Sequence, residues 1–207
     1  MNAQGCLELL RCSKGCGFRP PVDEKGLPQT RTQLDVMLVE KGKLYFCTAR
    51  GKEFYRQLTV SGYAAVTGMN REYQMVRLSG QVRKLREQKK WIDRIFEENP
   101  SMKEVYPGES RYILEPFCIE EGEAEFFDLG KNPIVRESFC LGDYTGHPKG
   151  FRITDSCIGC GKCQKSCPQQ CIEKGRPYVI QQAHCLHCGL CYENCPVKAI
   201  QKRSDAK

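Results

Sequence analysis

The spacing of apolar and polar residues predicts many short strands and few helices. Residues 4–12 (QGCLELLRC) have the spacing of a short amphipathic helix. Residues 31–40 (RTQLDVMLVE) and 43–49 (KLYFCTA) predict two strands, with Glu40, Lys41 and Gly42 as a tight hairpin turn between them. Residues 52–60 place Phe54, Tyr55 and Leu58 on one helical face, and 63–69 and 74–86 return to strand patterning. Residues 87–98 gather Trp91, Ile92, Ile95 and Phe96 on one side of a helix that Pro100 ends. Two more strands, 111–119 and 123–129, close this part. About six strands with few helices predict a small barrel, because closure removes exposed edges.

The pattern breaks at 141–152 (LGDYTGHPKGFR), where glycine, proline and polar residues predict a linker. We therefore expect one domain at 1–140 and a second at 153–207. A length of 207 residues accommodates both. No apolar run reaches the ~18 residues of a membrane span, and the first residues lack the pattern of a secretory signal. These features lead us to expect a cytoplasmic protein with no membrane partner.

Cysteine and charge sharpen this picture. Of 15 cysteines, nine lie in residues 151–207. In a cytosolic chain such density points to metal ligation rather than disulfides. Residues 151–207 also carry +5 of the net charge of +7. Basicity alone would admit nucleic acid, but no helix-turn-helix pattern accompanies it. Lys89 and Lys90, beside Arg83, Lys84 and Arg86, read as a solvated face.

The cysteines form a repeat with a period of 28 residues. Cys157, Cys160, Cys163 and Cys167 recur as Cys185, Cys188, Cys191 and Cys195, each half followed by proline (Pro168, Pro196). Each half reads C-x2-C-x2-C-x3-C-P, the bacterial ferredoxin run, in which the fourth cysteine ligates the other half's cluster. This assigns Cys157, Cys160, Cys163 and Cys195 to cluster I, and Cys185, Cys188, Cys191 and Cys167 to cluster II, both [4Fe-4S]. Zinc ribbons use paired CxxC units instead, and His184 and His187 read as loop positions. Cys171, whose counterpart is Ala199, reads as packing. Cys6, Cys12 and Cys16 read as scattered reduced thiols. Eight thiolates and two cubane cores of about +2 each bring the charge to about +3, so the basicity largely offsets the clusters. Lys198, Lys202, Arg203 and Lys207 then remain as an exposed basic feature suited to an acidic redox partner.

Three stretches of the first domain carry a resemblance. Gln29-Thr30-Arg31-Thr32-Gln33 opens a strand. Phe46-Cys47-Thr48-Ala49-Arg50-Gly51-Lys52, then Gln57-Leu58, reads as strand, turn and helix. Met75-Val76-Arg77-Leu78-Ser79-Gly80 is a third strand. Over residues 1–130 the chain resembles the pyridoxamine 5′-phosphate oxidase family, whose fold is a split β-barrel binding FMN at a dimer interface. The resemblance implies a homodimer and FMN contacts from Arg31, Thr48, Arg50, Lys52, Arg77 and Ser79. A helix start with a hydroxyl and cations nearby also suits a phosphate on physical grounds. Arg77, on an otherwise apolar strand, would need an anion, either FMN phosphate or a carboxylate such as Asp35 or Glu72. Met75 stands where relatives often have Trp, and the proline-rich 17–29 segment also departs from the family. No stretch matches the vitamin B6 enzyme's substrate signature, so pyridoxamine phosphate is not the expected substrate.

The expected fold is therefore mainly β with flanking helices, a split barrel, joined to a small α+β dicluster ferredoxin-like domain. The expected function is an oxidoreductase passing electrons between two [4Fe-4S] clusters and FMN to or from a small organic acceptor, in a low-oxygen setting. A carrier shuttling electrons between partner proteins, without its own substrate, is the alternative. A haem protein is a third, but His147, His184 and His187 all lie at or beyond the linker. No residue stands out as a catalytic acid or base, although Tyr45, Cys47 and Tyr73 are candidates for the neighbourhood of a flavin.

Overall fold

The computed structural model describes residues 1–13, 16–19, 27, 29–33 and 37–205. Contacts divide the chain into two compact units, Met1–Phe126 with Ser138–Thr145, and Phe127–Glu137 with Gly146 onward.

The first unit opens with α1 (Ala3–Cys12), capped by the Asn2 side chain, which accepts from the Gly5 N–H. Next come β1 (Cys16–Arg19), β2 (Arg31–Gln33), β3 (Met37–Glu40) and β4 (Lys43–Ala49). The expected strand 31–40 is thus β2 and β3, which pair with different neighbours, and residues 34–36 lie outside the described residues. Then follow α2 (Glu53–Ser61), β5 (Tyr63–Met69), β6 (Gln74–Lys84), α3 (Gln88–Glu98), the short α4 (Met102–Val105), β7 (Leu114–Asp128) and β8 (Val135–Leu141). Among the described residues these strands make one sheet ordered β2-β1-β5-β6-β7-β4-β3, with β8 on β7.

Strand β4 explains the core. From Leu44 to Ala49 every residue is buried, as a near-continuous apolar run requires when both faces are covered. Tyr45, Cys47 and Ala49 join the cluster containing Ile92, Ile95 and Phe96 of α3, and Trp91 stacks on Tyr45 at 4.4 Å. On the alternate positions Phe46 stacks with Phe54 of α2 and Phe117 of β7, at 6.2 and 5.7 Å. Thr48 shares this second set by the two-residue period of a strand.

Two differences from the sequence expectation concern β7 and β8. Segments 111–119 and 123–129 are not separate strands, because β7 runs unbroken for 15 residues. Its first half pairs with β4, from Ala49↔Leu114 to Leu44↔Ile119. Gly122 sits against Gly80 of β6 so closely that a Cβ on either would collide with the other strand's backbone. Gly122 therefore permits a close crossing, not a turn. Strand β8 has a weak pattern, mostly polar and partly exposed, and gains its form from pairing with β7.

The second unit holds β9 (Phe151–Ile153), α5 (Lys162–Ser166), β10 (Ile172–Glu173), β11 (Val179–Ile180), α6 (Leu190–Glu193) and β12 (Ile200–Lys202). Each half of the repeat supplies a short helix and a strand. Strand β10 pairs with β11, and β12 with β9, with Ile172 and Ile200 both 2% exposed. Part of the stretch expected as linker is thus strand.

Candidate functional site

The repeat is visible in the backbone as well as in the sequence. Gly159 and His187 have φ of 72° and 57°, Gly161 and Gly189 of 73° and 85°, and Gln170 and Lys198 of 50° and 51°. These left-handed residues curl each cysteine loop inward, and glycine adopts that conformation without steric cost at 161 and 189. The Gly159 N–H donates to Cys157 Sγ and the His187 N–H to Cys185 Sγ, each at 3.4 Å. Two loops thus aim amides at sulfur in the same way.

A cavity in this unit is lined by Cys167, Cys185, Cys188 and Cys191, with Phe151, Ile172, Ile180, Leu186 and Leu190 as apolar wall. Three of those cysteines come from the second half of the repeat and Cys167 from the first. The cavity thus gathers the four residues of the crossed cluster II assignment. Burial pushes the Cys191 thiol up to about 11 and raises Cys185 as well. Iron would reverse this, since a metal-bound thiol is deprotonated. In the first loop Cys163 lies within electrostatic reach of Cys157 and Cys160, and burial raises its pKa. The donor set, thiolate-only and apolar-walled with amides on sulfur, fits an iron–sulfur cubane.

Segment Phe127–Glu137 belongs to this unit and grips both histidines flanking Cys185. His184 Nδ1–H donates to the Ile134 carbonyl at 2.8 Å, and Arg136 Nη1 donates to His187 Nδ1 at 3.1 Å. The Ile134 N–H reaches Gln169 Oε1 at 3.1 Å. Both histidines thus clasp the loop that carries Cys185 and Cys188.

In the first unit, Thr48, Arg50 and Lys52 follow one another at the β4–α2 turn, with Lys52 as the helix N-cap. Thr48 Oγ1 and Gln57 Nε2 are buried and have no hydrogen-bond partner among the described residues. Arg31 comes to the same helix. Its Nη1 donates to Gln57 Oε1 at 2.8 Å and its guanidinium lies 4.6 Å from the centre of the Phe54 ring. Burial lowers the Arg31 pKa from its ordinary value, although Glu53 opposes this. Buried unsatisfied donors beside a partly desolvated cation are costly on their own and fit a phosphate.

The other expected contacts have carboxylate neighbours or lie on β6. Arg50 pairs with Glu115 at 2.9 Å, and Lys84 reaches the same carboxylate at 3.2 Å. Arg77 and Ser79 lie on the face of β6 opposite buried Val76 and Leu78. Arg77 is 63% exposed, and the anion it was expected to need is at hand in Glu125, at 3.9 Å. Strand alternation points it outward, where its charge costs little. Glu72 is not its partner, and Asp35 lies outside the described residues, as does Lys207. Tyr45 and Cys47 are core residues, and burial pushes the Cys47 thiol up to about 12. Tyr73 is exposed at a turn. Sequence reasoning singled out neither Gln57, as an anion donor, nor Glu115. The legible signal for Gln57 was a polar residue among the apolar positions of α2, beside Phe54 and Leu58.

Comparison with known proteins follows the same division. Residues 156–201 match the 4Fe-4S dicluster domain family and are a ferredoxin-type iron–sulfur domain. A ferredoxin from Butyribacterium methylotrophicum is 48% identical over 33 residues, 16% of this chain. The matched part spans 60% of that ferredoxin's length. Among solved structures, a NimC/NimA family protein from Clostridium acetobutylicum is similar with a TM-score of 0.55 and 21% identity, over 67% of this chain and 93% of that one. A pyridoxamine 5′-phosphate oxidase-related, FMN binding protein from Nostoc punctiforme aligns with a TM-score of 0.47 and 14% identity, over 68% and 88%. The fold is thus the expected one, mainly β with flanking helices in a split-barrel arrangement, with a ferredoxin-like dicluster domain. No described helix is long and apolar enough to cross a membrane.

Proposed function

We propose that this protein is a flavin- and iron–sulfur-dependent oxidoreductase that passes electrons between two [4Fe-4S] clusters and FMN to or from a small organic acceptor. The observation that carries the redox reading is the apolar cavity lined by Cys167, Cys185, Cys188 and Cys191. Clusters supply one-electron transfer, and FMN couples it to two-electron chemistry. Cys157, Cys160, Cys163 and Cys195 hold the first cluster by the same crossed logic. The amides of Gly159 and His187 donate to ligand sulfur and favour its negative charge. In the barrel, Arg31, Thr48 and Gln57 bind the flavin phosphate, and Lys52 adds a cation at the start of α2.

Arg50, Arg77 and Ser79 have weaker support as flavin contacts, since Arg50 is held by Glu115 and Arg77 faces Glu125. A homodimer completing the flavin site and a low-oxygen cytoplasmic setting belong to the same proposal. Lys198 and Lys202 line a groove with Tyr192 and Cys195, which supports docking of an acidic redox partner beside the first cluster.

Anaerobic purification, with iron, sulfide and flavin assays, tests the reading. We expect about eight irons and one FMN per chain. Arg31→Gln should lower FMN retention severalfold and leave iron unchanged. Zinc in place of iron, or no flavin, would overturn the corresponding half. A panel of nitroaromatics, quinones and enones then separates enzyme from carrier, because failure across it with fast protein-to-protein transfer sinks the enzyme reading.

A further inference from the structure

The two cysteine loops repeat each other, so any chemical difference between them distinguishes the clusters they would hold. Most of their surroundings match. Left-handed residues and amide-to-sulfur hydrogen bonds recur in both. An arginine stands at each loop: Arg176 Nε lies 3.6 Å from where a Cβ on Gly159 would be, and Arg136 binds His187. An aromatic ring stands at each glycine, Tyr178 at Gly161 and Phe151 at Gly189.

The crossed ligands do not match. Cys195 Sγ accepts the N–H of Ala199 at 3.2 Å. At the equivalent place the first half has Cys171, whose Sγ lies 3.6 Å from Cys167 Sγ. Cys171 is 6% exposed and lines the cavity together with the four cluster II residues. A ligating cysteine is a thiolate and carries no proton, so in this pair only Cys171 can donate.

We propose that the Cys171 S–H donates to the Cys167 ligand and makes cluster II the higher-potential member of the pair. This rests on the reading that these cysteines hold clusters. Reduction adds negative charge that spreads onto the ligand sulfurs. A donor at sulfur therefore stabilises the reduced form more than the oxidised form, which raises the potential. An electron shared by the two clusters then resides mostly on cluster II. A tenfold preference corresponds to about 59 mV for a one-electron couple.

The test is a redox titration of the full chain with clusters loaded, followed by electron paramagnetic resonance, with iron and sulfide assayed on every sample. The unmodified protein should show two resolved couples. Cys171→Ala, which installs the residue found at position 199, should move the upper couple down toward the lower one. Cys171→Ser retains a donor and should stay nearer the unmodified value, while Tyr178→Phe should leave the upper couple in place. Coincident couples in the unmodified protein, or an upper couple unmoved in a Cys171→Ala sample retaining about eight irons, would overturn the proposal. Absence of iron from the unmodified protein would instead overturn the cluster reading itself. A second measurement needs no variant. After exchange into heavy water, the reduced unmodified protein should show an exchangeable deuteron coupled to cluster II beyond those of backbone amides, and its absence also sinks the assignment.

Discussion

Glu120 on β7 anchors two cations at once. It accepts from Lys43 at 2.7 Å and from Arg83 at 2.8 and 2.9 Å. The Arg83 and Lys43 hydrogen bonds hold its carboxyl down to about 2, from an ordinary 4.5. A depressed carboxylate stabilises the fold above its unfolded pKa and loses that contribution as pH falls toward its folded value. Lys43 and Arg83 are substantially exposed, so screening limits the gain to about 1 kcal/mol. Denaturant unfolding of Glu120→Gln should therefore show a deficit of that size at pH 7, shrinking between pH 4.5 and 2. A deficit that is undiminished at pH 2 would mean packing, not charge. The same scale shows which residues were legible in the sequence. The dicluster domain could be read because the period of its cysteines is fixed by the chain itself. The contacts of Gln57 and Cys171 could not be read from sequence, because the side chains they meet lie 26 and four positions away. The partner of Arg77 could not be read, because Glu125 lies on another strand 48 positions away.

At the scale of elements, the crossing of β6 and β7 is a tight constraint in the sheet. Gly80→Ala places a methyl group where the Glu121 carbonyl and Gly122 already lie. Strands held in register on both sides cannot move apart freely, so the cost should be about 1–3 kcal/mol. Thermal or urea unfolding measures it, and an unchanged midpoint would show that β7 can shift. Strand β4 and helix α3 were legible because their apolar patterns are long and regular. Strand β7 was divided wrongly because Glu120, Glu121 and Gly122 look like a turn when only local sequence is considered. The feature that keeps the strand whole is a glycine in another strand.

At the scale of the molecule, the two units differ in what holds them. The first has a conventional core built on Phe46, Phe54, Phe96 and Phe117, all nearly fully buried. The second buries cysteines among a few apolar side chains. A core so small gains much of its stability from metal ligation. Removing iron with a strong chelator should therefore unfold the cysteine-rich unit while leaving most of the sheet signal. Circular dichroism and proteolysis would check this, and a cysteine-rich unit that stays protease-resistant without iron would contradict it.

The membership of segment Phe127–Glu137 carries a consequence for how the chain is made. His184 and His187, which clasp this segment, follow their partners Ile134 and Arg136 by 50 and 51 positions. The segment is synthesised several seconds before its partners, at roughly 5–20 residues per second. Until then it has only its own sheet-forming neighbours to occupy it. Neither unit is continuous in sequence, so a cut near residue 153 would part the cysteine repeat from segment Phe127–Glu137 of its own unit.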